Sequence, residues 1–417
     1  MIGAGRELAR RALFGALARI RRERIEIAEG DRVFGFGPGD ARLRARIEVR
    51  DPRAYTWILR GSTGLGEGYV DGLWTVDDLV SLSRIACRNL GPLDRLRQRL
   101  QPLLGPAQRV ANQVPRNTRS GAREHISAHY DLGNSLFEAF LDQRLMYSAA
   151  VFPDRDATLE QAQLTKLERI CAALDLDPGD HLLEIGTGWG GLAIHAAATR
   201  GCRVTTTTIS REQHAYATER VREQGLEDRI EVLLEDYRDL GGSYDKLVSI
   251  EMIEAVGWQY FPEFFAKCSA LTRPGGAMFL QAIVIGDEAY EAEKASRSFS
   301  NKHIFPGGCL PSLGVIAELG AANGIPVAGC EDISAHYART LAVWRQRFND
   351  AWPRLRPQGY DQRFSRLWNF YLAFSEGGFR ERRIRDLQIV LAKPGWRAAG
   401  SEWRSPIQEL EAASLSS

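Results

Sequence analysis

The part of this 417-residue chain best suited to chemistry is a run of glycines behind an acid, Glu184-Ile-Gly-Thr-Gly-Trp-Gly-Gly191. The stretch from His181 to Ile185 reads as a buried strand that ends in Gly186, Gly188 and Gly190, with a helix directly behind it. Glycines at such a turn take backbone angles closed to other residues and let a ligand come against the main chain. The spacing also satisfies Gly-x-Gly-x-x-Gly through Gly186, Gly188 and Gly191, so a dinucleotide is the first competitor. A dinucleotide site wants an acid about 20 residues further on, at the end of the second strand, for the ribose. Here that strand ends in Thr207-Thr-Ile-Ser-Arg-Glu-Gln213, with hydroxyls and the Gln213 amide but no acid at its tip. Acids stand instead at Glu184, inside the first strand, and at Asp236, after the third. An acid there can accept a hydrogen bond from an adenine amino group, and Tyr237 can cover a ring face. The set suits S-adenosylmethionine, which has no pyrophosphate to place on a helix N-terminus.

The elements that must position these residues alternate. Strand-like runs at His181–Ile185, Val204–Ile209, Ile230–Leu234, Lys246–Ile250 and Ala277–Ile285 have helical segments between them, near 190–200, 211–224 and 260–272. That order predicts an α/β, Rossmann-like open sheet, mostly parallel and covered by helices on both faces. Further helices are expected at 313–323 and 361–384, and a late strand at Leu387–Ala392. The N-terminal stretch reads differently, as a small α+β domain. It has short strands at Ile25–Ile27, Val33–Phe36 and Ala45–Val49, then a glycine-rich bend from Gly61 to Trp74 and a helix near 76–90. The expected boundaries are an accessory domain at 1–105, a linker at 106–123, a catalytic domain at 124–395 and a tail at 396–417.

Charge separates the two parts. Residues 1–123 hold 23 arginines, no lysine and 13 acidic residues, a net +10, whereas residues 124–417 hold 31 basic and 40 acidic residues, a net −9. A cationic front suggests a phosphate-bearing surface, against the plainer reading that the fold solvates its arginines there. Leu8, Leu13, Phe14, Leu17 and Ile20 recur at helical spacing between arginines. They predict an amphipathic helix that either lies on anionic lipid or docks on its own domain. No apolar run reaches the roughly 20 residues that span a bilayer, and no export signal is visible at the start. The six cysteines are scattered, with no spacing that would hold zinc, so the expectation is a reduced, cytoplasmic protein without a metal.

Several further motifs resemble one family, the cyclopropane-fatty-acyl-phospholipid synthases and related mycolic-acid methyltransferases. They are His129-Tyr-Asp-Leu-Gly-Asn134, Leu145-Met-Tyr-Ser148, the glycine loop, Asp236-Tyr-Arg-Asp239, Met252-Ile-Glu254 with Val256-Gly257, Ile304-Phe-Pro-Gly-Gly-Cys-Leu-Pro-Ser312 and His336-Tyr337. Gly64-Leu-Gly-Glu-Gly-Tyr-Val-Asp-Gly-Leu-Trp74 is similar to the small N-terminal domain of the full-length bacterial enzymes. The resemblance implies a class I S-adenosylmethionine-dependent methyltransferase fold with lipid-binding insertions. The implied acceptor is the cis double bond of an acyl chain in a membrane phospholipid. The implied donor site comprises Tyr147, Ser148, Gly186, Gly188, Gln213, Asp236, Tyr237 and Ile250, with Glu184 and Gly190 from the loop itself. The implied chemistry falls near Glu254 and Tyr337. Attack by the alkene leaves a carbocation that aromatic faces can stabilise, and Tyr337, Phe305, Trp344, Tyr371 and Phe374 are candidates.

In that family a bicarbonate ion takes the departing proton, held by a glutamate, a histidine, a tyrosine and the segment around a cysteine. This sequence departs from the pattern. Ala149 stands at the cysteine, Ala255 at the histidine after Glu254, Gln281 at the histidine of the fifth strand and Ser375 at a late-helix cysteine. Bicarbonate is therefore expected at an altered site, with Gln281 donating an amide hydrogen bond where imidazole would act. Three outcomes stay open. A proton lost from the new methyl group closes a cyclopropane ring, and a proton lost from the chain gives a methylene-branched acyl group for a separate reductase. The third outcome is a noncatalytic paralogue that binds lipid and donor. A nucleic-acid methyltransferase is disfavoured, because Ser249-Ile-Glu-Met-Ile-Glu254 occupies the place of an Asn-Pro-Pro-Tyr or Pro-Cys loop. The expected partner is a phospholipid surface, met peripherally at the inner face of the membrane, with self-association as a further expectation.

Overall fold

The computed structural model describes residues 2–58, 60–89, 117, 133–295 and 297–397. The chain divides into two compact units. One joins Met1–Val114, Glu291–Pro306 and Leu341–Arg383, and the other joins Pro115–Tyr290, Gly307–Thr340 and Ile384–Ser417. The boundaries drawn on the sequence do not coincide with this division, because two later stretches pack with the N-terminal residues. The expected linker, apart from Asn117, lies outside the described residues. So do His129 to Leu132 and the tail beyond residue 397.

The first unit is built on a four-stranded sheet of β1 (Arg24–Glu29), β2 (Arg32–Phe36), β3 (Arg44–Val49) and β4 (Trp74–Val76), ordered β2-β1-β3-β4. The amphipathic helix Ile2–Leu17 docks on its own unit. Phe14 places its ring 5.2 Å from Phe34, 5.0 Å from Phe36 and 6.2 Å from Tyr55. Arg10 lies over the Phe14 ring and bonds Glu29 at 2.6 Å. Of that apolar stripe, Leu8 is left 70% exposed.

One expectation from the glycine content fails. Gly61–Val70 is a helix rather than a bend. Its glycines are there for close packing: a Cβ on Gly66 would stand 2.2 Å from the Phe299 ring, and one on Gly64 would stand 2.0 Å from the Trp57 carbonyl oxygen. Tertiary contact has overridden a weak helical propensity. The helix Gln362–Arg380 packs against this helix and against Leu79–Asn89. Beyond its end, Glu381 accepts from Arg84 and Arg88 at 2.6 Å each.

The second unit carries the expected α/β sheet, with seven strands ordered β10-β11-β9-β8-β5-β6-β7. These are β5 (His181–Ile185), β6 (Arg203–Thr208), β7 (Ile230–Leu234), β8 (Tyr244–Ile250), β9 (Thr272–Ile285), β10 (Val327–Asp332) and β11 (Ile384–Ala392). β5 to β9 pair in parallel, and β11 runs antiparallel between β9 and β10. Successive side chains point to opposite faces, so the two cores divide the strands residue by residue. Leu182, Val204, Val248 and Phe279 pack with Leu167, Ile170 and Leu192 on one face. Leu183, Leu247, Met278 and Leu280 pack with Phe261, Phe264 and Phe265 on the other.

Because the helix Gly61–Val70 has no room for a side chain at Gly66, Gly66→Ala should destabilise the protein by about 1–3 kcal/mol through overpacking. An unchanged thermal midpoint in that variant would show that the rings do not hold this helix.

Candidate active site

The carboxyl end of β5 places the glycine loop. Gly186, Gly188 and Gly190 have φ of 104°, 53° and 83°, the left-handed region that only glycine enters at low cost. A Cβ at Gly188 would meet nothing within 4 Å, so the backbone there borders open space. Gly186 and Thr187 both donate their N–H groups to the Thr207 carbonyl at 3.0 Å, which ties the loop to β6. Behind the loop, Asn134 of the described end of its motif accepts from the Trp189 indole at 3.0 Å. Tyr147 stands edge-on to Phe137 with ring centroids 5.4 Å apart.

The acids around the loop are engaged in ways the sequence does not announce. Glu184 is buried beneath the loop, where Thr206 donates to it at 2.6 Å and Thr187 meets the Thr206 hydroxyl at 2.7 Å. Burial pushes the Glu184 carboxyl up to about 8, and the Thr206 bond pulls against that rise. Asp236 is gripped by Arg238, with Nε to Oδ1 at 2.9 Å and Nη2 to Oδ2 at 2.6 Å. That residue was quoted within the Asp236 motif without a role. The Tyr237 hydroxyl is buried with no hydrogen-bond partner among the described residues. At the tip of β6, the Gln213 side-chain oxygen accepts from Thr208 at 2.8 Å, and the Gln213 N–H donates to the capping Ser210.

A second group of side chains gathers at the ends of β8, β9 and β11. Ile250 ends β8, and Glu251 follows with φ 46°, a left-handed conformation that costs a residue with a side chain about 1–2 kcal/mol. Its N–H donates to the Gln281 carbonyl at 2.8 Å. Its Oε1 accepts from the Ala149 N–H and from Gln281 Nε2, each at 2.7 Å, and its Oε2 accepts from the Tyr337 hydroxyl at 2.7 Å. Gln281 cannot turn over, because Gln388 donates to its Oε1 at 3.0 Å while its Nε2 also reaches Asp386 at 3.2 Å. Glu254 accepts from the Ile283 N–H through one oxygen, and its other oxygen is buried with no partner among the described residues. Gly186 stands against Met252, between Glu251 and Glu254, so the glycine loop and this cluster are neighbours.

Burial and mutual repulsion set the charges. Lys166 is fully buried, donates to the Ser148 hydroxyl at 2.7 Å, and is pushed down to about 8 by desolvation against the pull of Glu251, Asp142 and Asp386. Glu254 is pushed up to about 8 by burial and then by Glu251. Asp386 rises well above the carboxylate range for the same two reasons, with Glu254 adding to them. Glu251 is also raised by burial, but the Ala149 N–H, the Tyr337 hydroxyl, Lys166 and Gln281 all favour its ionised form. One lysine cannot balance three buried carboxylates, and of the three Glu251 is the one whose hydrogen-bond donors and lysine favour the ionised form.

Of the residues expected at the chemistry, Tyr337 and Gln281 meet at one carboxylate, and that carboxylate is Glu251 rather than Glu254. Ser148 is in the same neighbourhood through Lys166. The other aromatic candidates, Phe305, Trp344, Tyr371 and Phe374, belong to the first unit, as does Ser375. Glu251, Lys166 and Asp386 were not singled out. Lys166 had a signal: it shares the buried helix face of Leu159, Ala162, Gln163, Leu167 and Ile170, where a charge needs partners. Asp386 and Gln388 likewise alternate inward at the head of a buried strand.

A family model described as mycolic acid cyclopropane synthetase matches residues 117–389. The chain is similar to the tuberculostearic acid methyltransferase UfaA1 of Mycobacterium tuberculosis, 40% identical over 344 residues that cover 80% of each chain. It is also similar to the cyclopropane-fatty-acyl-phospholipid synthase of Escherichia coli K12, 36% identical over 87% of this chain and 90% of that one. Among solved structures, the cyclopropane synthase MmaA2 of Mycobacterium tuberculosis superposes with a TM-score of 0.61 at 30% identity, over 65% of this chain and 98% of its own.

The Glu184 environment has a measurable consequence. The folded protein keeps that proton to about pH 8, whereas the unfolded chain releases it near the ordinary value of 4.5. The folded state therefore binds more protons in that window, and stability falls as pH rises through it. Glu184→Gln should lessen the drop in thermal midpoint between about pH 5 and about pH 8. An unchanged pH slope would place the proton elsewhere.

Proposed function

The chain belongs to the mycolic acid cyclopropane synthetase family and is an S-adenosylmethionine-dependent lipid methyltransferase, and from that premise we propose that it methylates the cis double bond of an acyl chain in a membrane phospholipid, with ring closure to a cyclopropane. The observation that carries this reading is the buried cluster of Glu251, Glu254, Gln281 and Tyr337 beside the glycine loop. An alkene carries no proton to remove before attack, yet a proton must leave after it. A carboxylate in a dry site, next to the donor loop, answers that need.

The donor fits the residues present. The open space at Gly188, the unpartnered Tyr237 hydroxyl and the acid-free tip of β6 suit an adenosyl sulfonium better than a dinucleotide. S-adenosylmethionine supplies an electrophilic methyl group whose bond to sulfur breaks with its electron pair staying on sulfur. We assign Tyr147, Ser148, Glu184, Gly186, Gly188, Gly190, Gln213, Asp236, Tyr237 and Ile250 to its neighbourhood, with Glu184 and Asp236 acting through the hydroxyl chain and Arg238 that hold them. The cluster is buried, which excludes water that would otherwise trap the carbocation formed on the acyl chain. The Tyr337 ring and the charge on Glu251 favour that cation. Glu254, with one oxygen that has no partner among the described residues, adds to this field when ionised.

A methylene-branched product is the second reading, favoured by the 40% identity to a relative named as a methyltransferase rather than a cyclopropane synthase. Atom balance revises the origin of its proton. The branch carbon is the transferred methyl itself, so a hydride must move from the methylated carbon to the neighbouring cation before the methyl loses its proton. Both products therefore come from the same deprotonated carbon and differ in that hydride shift.

The membrane surface fits the first unit, where exposed Arg19, Arg21, Arg22 and Arg42 line two pockets that share Arg22 and Arg88, with Glu23 and Asp40 also at their edges. Among the described residues no helix is long and apolar enough to cross a membrane, and we propose that these arginines attach the protein peripherally to anionic lipid at the inner face of the membrane.

Proton NMR of lipids from vesicles of unsaturated phosphatidylglycerol, incubated with the enzyme and donor, should show high-field cyclopropane protons. Vinylidene protons would establish the branched product instead, and unmodified lipid would overturn the acceptor. Glu254→Gln should lower turnover by about tenfold or more above about pH 8, where the Glu254 carboxyl ionises, while donor affinity, read by calorimetry, is unchanged. An equally fast variant would remove Glu254 from the chemistry.

A further inference from the structure

The bicarbonate that the resemblance implies does not fit this site. Its place would be bounded by the Ala149 N–H, the Gln281 amide and the Tyr337 hydroxyl, and all three already donate to the carboxylate of Glu251 at 2.7 Å. A second anion there would meet no free donor among these three and would face the charge of Glu251 itself.

We propose that Glu251 is a built-in replacement for the bound anion, so that its own carboxylate takes the proton released after methyl transfer and the enzyme works without bicarbonate. The inference rests on the methyl-transfer reading of this same site. Three independent features of the chain converge on it.

The first is the backbone. Glu251 sits at φ 46°, a conformation glycine would adopt without strain, and its N–H is anchored to the Gln281 carbonyl at 2.8 Å. A side chain is kept where its absence would be easier, which points to a use for that side chain. The second is the donor set. A main-chain N–H, an amide and a phenol converge on one carboxylate from segments 86 and 102 residues away in the sequence, the distances to Tyr337 and Ala149. Gln281 is locked by Gln388 with its amide nitrogen toward Glu251, so it supplies a donor that never needs protonation. The third is the balance of charge. Lys166 and the three donors favour the ionised form of Glu251, whereas burial and the neighbouring carboxylates raise Asp386 and Glu254, so Glu251 is the member best placed to serve as a base. A carboxylate raised by burial toward the working pH is a more capable proton acceptor than one in water.

The step balances. The alkene π pair forms the new carbon–carbon bond as the methyl leaves sulfur. A C–H bond of that methyl then breaks, its pair closes the ring onto the cationic carbon, and the proton passes to a Glu251 oxygen. For the branched product the same pair, after the hydride shift, becomes the π bond. No oxidant or further reactant is required.

The test uses the full-length protein, unsaturated phosphatidylglycerol vesicles and labelled donor, in buffer freed of carbon dioxide and in the same buffer with bicarbonate. Wild-type turnover is expected to be equal in the two buffers within about twofold, and 13C NMR of labelled bicarbonate should show no saturable binding. Glu251→Gly relieves the backbone and opens the anion space. It should lose about a hundredfold or more in turnover, keep its donor affinity, gain saturable bicarbonate binding and recover at least about tenfold in rate with bicarbonate, formate or acetate. Should that variant fold poorly, Glu251→Gln keeps the shape and should be slow in both buffers with donor binding intact.

A wild-type enzyme that binds bicarbonate and loses its activity without it would overturn the proposal. So would a Glu251→Gly protein that is fast without added anion, or one that binds donor yet is rescued by none. No label in lipid from the wild type in either buffer would sink the acceptor reading instead, and the binding measurement would still decide whether Glu251 fills the anion space.

Discussion

One buried lysine shares a desolvated space with three carboxyls, and the second unit is organised around that electrostatic constraint. Lys166, Glu251, Glu254 and Asp386 come from a helix, the loop after β8 and the head of β11, so the sheet must bring distant segments together before any of them is satisfied. Removing water raises the cost of every unpaired charge and strengthens every paired one. The outcome is a site whose donors and lysine favour negative charge on Glu251, while burial and mutual repulsion raise its neighbours Glu254 and Asp386. Such a placement is useful to a reaction that passes through a cation and ends in loss of a proton.

The parallel sheet explains how this site and the donor loop share one edge. β5 and β8 are adjacent and run the same way, so the loops after them emerge side by side, and Gly186 touches Met252. Open parallel sheets bind ligands beyond the carboxyl ends of their strands for this reason. The antiparallel β11 adds what a purely parallel sheet could not, because it directs Asp386 and Gln388 onto the face where Gln281 lies. The first unit follows a different logic. Its arginines are partly spent on internal pairs, Arg10 with Glu29 and Arg84 and Arg88 with Glu381, so the excess of positive charge offered outward is smaller than the count suggests. The exposed remainder is what a phosphate-bearing surface could meet.

Much of this was legible in the residues. The glycine loop, the strand–helix alternation and the missing acid at the tip of β6 are local patterns, readable because strand and helix periods are short-range properties of the backbone. Strands β5 and β7 begin and end where their apolar runs do. The glycines of Gly61–Val70 misled for the converse reason: nothing local says that Gly66 faces the Phe299 and Phe370 rings, so a packed helix reads as a bend. Glu254 stands out in the sequence because a motif extends along the chain, whereas the partners of Glu251 at Ala149 and Tyr337 lie far from it in sequence.

The sequence by itself determined the fold class, the methyl donor and the edge of the sheet where the glycine loop emerges, because each depends on short spacings that the backbone translates directly into geometry. Only the tertiary structure decided which carboxylate gathers the partners that favour its charge. That decision depends on desolvation and on partners at Ala149, Lys166, Gln281 and Tyr337, and these become neighbours of Glu251 only when the sheet has closed over them.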